Sequence, residues 1–149
     1  RTNTPRPSPS TSTATPTETP ASTLTATPSP TSTLAYSRPR LLEPASGQYF
    51  SGAETRIELR WEPVGNLRGD EWYGLIFRYV HEGQDIETGA WLKETSWVVP
   101  SYFAGQADEP LRRYTWGVVV VKEIGKRADG SREGQEISPR SEMREFTWR

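Results

Sequence analysis

One histidine and no cysteine set narrow limits on the chemistry open to this chain of 149 residues. Without a thiol there is no disulfide framework, no thiolate nucleophile and no cysteine-ligated zinc. His81 stands close to Glu82, Asp85 and Glu87, side chains that in another arrangement would ligate a cation. The acids flank Gly83, where a chain reversal is expected, and they lack the spacing of a cation-binding loop. The stretch reads as a solvated hairpin tip, and no metal is expected there. The chain also lacks a Gly-x-Ser-x-Gly elbow, a P-loop, a dinucleotide fingerprint and His-Glu-x-x-His. Glycosidase-type carboxylate pairs are defined by separation in space, and a domain this small offers no obvious cleft to hold them. The expectation is a non-catalytic protein with no cofactor.

Recognition chemistry is better represented. Arg68-Gly69-Asp70 is the tripeptide that some adhesive domains present to integrins, although Gly69-Asp70 is also what a turn into a strand would use. Trp72, Trp91 and Trp97 form a candidate stacking platform for sugar rings. The N-terminal Thr residues form a third group: Thr11, Thr13, Thr15, Thr17, Thr19, Thr23, Thr25, Thr27, Thr31 and Thr33, interleaved with Ser and Pro, have the composition of an O-glycosylated, mucin-like stalk. No Asn-x-Ser/Thr sequon competes with them, because Asn3 is followed by Thr4-Pro5 and Asn66 by Leu67-Arg68.

The elements that would position these groups divide the chain in two. Residues 1–38 hold Leu24, Leu34 and Tyr36 as their only sizeable apolar side chains, so burial cannot offset the entropy of ordering them. Each Pro fixes its own φ and pushes the residue before it toward extended backbone. Fully extended at roughly 3.1 Å per residue, such a segment would span about 110 Å. Residues 39–149 hold every Trp and Phe and every Tyr except Tyr36, enough for one compact core. The net charge of −1 divides into about +3 for the tail and junction and about −4 for the domain, and neither half has the footprint of a nucleic-acid binder. The chain opens on Arg1, and it contains no apolar stretch long enough for a signal core or a membrane span. The expectation is a processed or excised product with any anchor outside it.

Within the domain, short alternating runs are separated by turn residues, a pattern of all-β sandwiches and barrels. Runs are expected over 40–42, 56–61, 72–80, 90–93, 97–99, 114–124 and 143–148. Ile57, Leu59 and Trp61 alternate with Arg56, Glu58 and Arg60, so that strand should have one wet face. The runs over 72–80 and 114–121 are apolar on both faces and should lie centrally in a sheet. If Tyr73 and Tyr114 face the core, then Trp72, Ile76, Val80, Val119 and Val121 gather on the outside of the same sheet. An apolar patch of that kind is the candidate partner-binding surface, to be covered by another copy, another protein, a sugar, the tail, or this domain's own loops and long side chains. The stretch from Lys122 to Ile137 should form a protruding hairpin with a type I′ turn at Asp129-Gly130.

The segments IELRWEP, WYGLIFRY, YTWGVVVV and SPRSEMREFTW resemble strands B, C, F and G of a fibronectin type III-like domain, within the wider immunoglobulin-like class. The likeness covers roughly Pro39 to Trp148. It implies a sandwich in which Trp61, Tyr73 and Tyr114 pack the core, with Tyr114 as the tyrosine-corner residue. The sequence departs from the family before Tyr114, where a longer stretch with Pro110 and Leu111 replaces the short Leu-x-Pro-Gly approach. It is also similar to domains that follow Thr/Pro-rich linkers in bacterial cell-surface proteins and in ectodomains of membrane-anchored kinases. The resemblance implies an extracellular structural or interaction module, a glycosylated surface protein or filament subunit engaged in assembly or adhesion. Two other functions stand beside it: a carbohydrate-binding module, and the ligand-sensing ectodomain of a membrane-anchored receptor.

Overall fold

The computed structural model describes residues 34–149. The ten Thr residues singled out for glycosylation lie outside the described residues. From Leu34 onward the chain is all-β, with a single 3₁₀ turn at Ser101–Phe103 and no α-helix among the described residues. No helix of the described residues is long and apolar enough to cross a membrane.

Among the described residues, nine strands form two sheets. Strands β1 (Leu41–Glu43), β3 (Glu58–Trp61) and β6 (Ser96–Val98) make the smaller sheet, in the order β1-β3-β6. The larger sheet runs β2-β9-β7-β4-β5, from β2 (Gln48–Phe50) and β9 (Arg144–Trp148) through β7 (Arg113–Lys126) and β4 (Glu71–His81) to β5 (Gln84–Leu92). A further strand, β8 (Arg132–Glu136), pairs with the far end of β7. As expected from their doubly apolar pattern, β4 and β7 lie in the middle and pair antiparallel from Glu71↔Lys122 to Tyr79↔Tyr114.

The core lies between the sheets. Ile57, Leu59 and Trp61 face it from one side, and Tyr73, Leu75, Phe77, Tyr114, Trp116, Val118 and Val120 from the other, all buried. Phe77 is central: its ring lies 5.1 Å from Phe103, 5.6 Å from Tyr114 and 5.6 Å from Trp97. Aromatic pairs in such tilted and stacked geometries add to what their buried area contributes. The Tyr114 hydroxyl donates to the Phe103 carbonyl and accepts the Ala107 N–H at 3.0 Å. The long loop before β7 is thereby tied back to the strand that follows it.

Three local expectations change. β5 begins at Gln84 rather than Ala90: from Gln84 to Gly89 only Ile86 is half-buried, and a strand wet on both faces need not alternate in hydropathy. β2 carries no periodic signal and is held by parallel pairing to β9, with Phe50 edge-on to Phe146 at 5.7 Å. The hairpin after β7 forms, but Asp129 is not in the left-handed region that a type I′ turn requires. Gly130 alone has positive φ (81°), Gly130 N–H bonds to the Arg127 carbonyl and Arg127 N–H to the Ser131 carbonyl. That is the three-residue loop with a bulge glycine, and the Asp129 carboxylate accepts from Ser131 instead. The true I′ geometry is at Glu82-Gly83, with φ of 50° and 73° joining β4 to β5.

Candidate functional site

The pleat of β4 sends Trp72, Gly74, Ile76, Arg78 and Val80 to the outer face, where the register opposes them to Val121, Val119, Gly117 and Thr115 of β7 and to Trp91, Gly89, Glu87 and Asp85 of β5. The five residues expected on this face therefore do share it. Their exposures differ sharply: Val119 and Val121 are 3% and 7% exposed, Trp72 and Ile76 are half-buried, and Val80 is 42% exposed.

The half near the start of β4 is covered by the domain itself. Gly74 lies between Trp91 and Val119 and has no side chain to obstruct them, and the Trp91 ring reaches across to β8. There it fills the space a Cβ on Gly134 would occupy, 2.7 Å from its ring carbons. Trp72 is enclosed differently: Lys93 Nζ lies 4.1 Å from its ring centroid and the Arg132 guanidinium 4.5 Å. Cations seated on aromatic faces are held by the ring quadrupole, and their alkyl stems shield apolar surface. Both cations are also in reach of further partners. Arg132 lies 5.8 Å from the Trp91 ring, and Lys93 Nζ donates to the carbonyls of Arg68 (2.8 Å), Gly69 (3.0 Å) and Glu71.

Those bonds fix Arg68-Gly69-Asp70 between β3 and β4. Asp70 lies 3.5 Å from Lys122 Nζ and its carbonyl accepts the Glu123 N–H at 2.7 Å, so the tripeptide is stapled to both neighbouring strands. At the same end, buried Glu71 accepts the Tyr36 hydroxyl at 2.5 Å and the Arg68 N–H at 2.8 Å, while Tyr36 N–H bonds to the Ile137 carbonyl at 3.2 Å. Burial works to raise the Glu71 pKa, but the Arg68 N–H and the Tyr36 hydroxyl outweigh it and hold the carboxyl below its usual value. The hydrogen bond to this carboxylate in turn raises the Tyr36 phenol. The chain is thus anchored to the sandwich from Tyr36, ahead of Pro39.

The other half of the face is open. Gly89 and Gly117 flank Ile76, and Met143 takes the place of a side chain on Gly117, its Sδ 2.5 Å from where a Cβ would sit. Beyond Ile76 lies a groove of about 940 Å³ lined by Arg78, Val80, Glu87, Leu111, Arg113 and Met143, in which Leu111 is 56% and Met143 40% exposed. Two ion pairs lie along its rim, Arg78 with Glu87 at 2.6 Å and Arg113 with Glu145 at 3.3 Å, and Asp85 and Asp108 line it as well. The adjoining turn is braced by Asp108, whose carboxylate accepts the N–H groups of Gly83 and Glu82 at 2.7 and 2.8 Å and is held below the usual range by them. His81 Nδ1 meets the Gln106 carbonyl at 2.6 Å, and no group of three or more His, Asp or Glu among the described residues is placed to hold a metal.

The sequence brought Val80 to this groove and missed Leu111, Arg113 and Met143. Leu111 stands in a loop with no period to reveal it, and Met143 reaches the face only because Gly117 leaves a gap. Of the three stacking candidates, Trp97 packs edge-on against Phe77 and Trp72 carries a cation near its ring from two side chains. Trp91 lies over Gly134. No family model matches this chain, and neither does any curated protein.

Proposed function

We propose that this chain is a non-catalytic extracellular interaction module, a fibronectin type III-like sandwich carried on a glycosylated Thr/Ser/Pro-rich stalk, and that it engages a partner protein through the groove around Val80, Leu111 and Met143. The observation that carries the reading is the position of the groove. The chain enters the sandwich at Tyr36, beside the start of β4, and the groove flanks the end of that strand. Seven to nine steps of strand, from Glu71 to Arg78 and Val80, separate the two by about 23–30 Å, so a domain held at Tyr36 presents the groove outward.

The immunoglobulin-like part of the reading is supported by buried Trp61, Tyr73 and Tyr114 and by the Tyr114 hydroxyl bonding to backbone upstream, as a tyrosine corner does. The groove combines exposed apolar side chains with a charged rim, a composition that suits protein contact. Sugar stacking has less support, since each candidate Trp already packs against this domain's own side chains or backbone.

A photo-crosslinking residue at Leu111, introduced into the protein in its native host, tests the proposal. A defined adduct from Leu111 and none from Tyr49, an exposed residue on β2, is the expected result. Equal adducts from both positions, or none from either, would overturn it. The mass of the native protein tests the stalk separately: an excess over the polypeptide in sugar increments is expected, and the bare mass of 16.8 kDa removes the glycans from the account.

A further inference from the structure

We propose that β5 pairs edge to edge with β5 of a second copy of this chain, antiparallel and with Thr88 on the two-fold axis. The inference concerns the margin of the large sheet and does not rest on the groove.

The four ends of the two sheets are unequal. β1, β2 and β6 are each three residues long, and the pairing of β1 is interrupted between Leu41 and Glu43. β8, beside β7, is five residues long and follows an irregular register between Glu123 and Gly125. Short strands and bulges are the usual devices that keep sheet edges from pairing with other chains. β5 has none of them. It is nine residues long, contains neither Pro nor Lys, and pairs with β4 without a break from Leu92 to Gln84. On its other side it has no strand neighbour among the described residues.

The backbone groups left over can be identified. The Val80 carbonyl accepts the Asp108 N–H at 2.8 Å, on the side of β4 away from β5. Alternation along an antiparallel ladder then gives the odd-numbered residues of β4, Tyr73 to Tyr79, to β5, where they meet Leu92, Ala90, Thr88 and Ile86. The two-residue turn at Glu82-Gly83 requires the same phase, because its closing pair His81↔Gln84 is hydrogen-bonded. Asp85, Glu87, Gly89 and Trp91 therefore direct their N–H and C=O groups away from the sheet.

The strand is its own complement in one register. With Thr88 on the axis, Asp85 opposes Trp91 and Glu87 opposes Gly89, all four outward-facing residues are used, and about eight backbone bonds form. No like charges stand directly opposite, and each Glu87 keeps its ion pair with Arg78. One step toward Gln84 sets Glu87 against Glu87, and one step the other way sets Asp85 opposite Lys93, beyond the end of the strand, so that one outward-facing residue of β5 is left out of the ladder. The contact is smaller than the roughly 800 Å² per partner of a stable interface. It is accordingly weak alone and gains from several domains being held close together.

Sedimentation velocity of the full chain over a wide concentration range tests this. Concentration-dependent dimerisation is expected, together with its loss in Glu87→Pro, which removes an outward N–H and leaves the β4–β5 ladder intact, and its retention within a few-fold in Glu87→Ala. A chain that stays monomeric at every concentration, or a folded Glu87→Pro that dimerises like the parent, would overturn the proposal. If Glu87→Pro does not fold, Thr88→Cys decides. The chain has no other thiol, so mild oxidation should give a covalent dimer from Thr88→Cys and not from Ile86→Cys, and equal yields would contradict the register.

Discussion

The two halves of one sheet face are treated in opposite ways. Near the start of β4, Trp91 lies across Gly74 to Gly134 while Lys93 and Arg132 sit by Trp72, and Val119 and Val121 are out of solvent. Near its end, Val80, Leu111 and Met143 stay exposed around a groove. Both halves are built from the same strands with the same alternation. The difference lies in long side chains arriving from β5 and β8, and in glycines that admit or withhold them. An apolar outer face is thus not in itself a docking surface, and what matters is whether the chain has a side chain long enough to cover it.

The largest way to disturb the contrast is to remove the cover. Trp91→Ala should cost about 3 kcal/mol, measured by denaturant unfolding, because it opens a void over Val121 and exposes both valines. Tyr114→Phe comes next at about 2 kcal/mol: the Phe103 carbonyl and the Ala107 N–H lose a buried partner. The effect should fall on the loop bordering the open half, visible as faster amide exchange at Ala107.

Glu71→Gln acts at the covered end and should cost about 1 kcal/mol near neutral pH. Its sign with pH follows from linkage. The folded pKa lies below the ordinary glutamate value of 4.5, so the stabilisation is complete above that value and is lost as pH falls through the lower folded value. Parent and variant should therefore converge in stability once the pH has fallen below the lowered folded value. Tyr36, raised from 10.0, loses its contribution in the other direction, as pH rises above 10. The smallest effect is expected on the open half, where Leu111→Ala should change stability by no more than about 0.5 kcal/mol.

Much of the fold was legible from residue types. Ile57, Leu59 and Trp61 marked a one-faced strand, and the doubly apolar runs through Ile76 and Val119 marked the central pair. β2 and the first half of β5 were not legible, since a three-residue strand has no period and an edge strand in water does not need one. Composition alone also placed a turn at Glu82-Gly83 but assigned the I′ geometry to Asp129-Gly130, where the Asp129 carboxylate is bonded to Ser131. The outer face was legible as a set of five residues and not as two halves. The division depends on where Trp91 and Arg132 end up, which is tertiary information no single strand carries.

Single-cysteine labelling tests the division most directly, because the natural chain has no thiol to interfere. Maleimide reaction should be fast, within about tenfold of a free peptide thiol, at Val80→Cys, and slower by about a hundredfold or more at Val121→Cys, since reaction there must wait for local opening. Adding Trp91→Ala should accelerate the second site and leave the first unchanged. Equal rates at the two positions, or a Val121→Cys rate that does not respond to Trp91→Ala, would contradict the account.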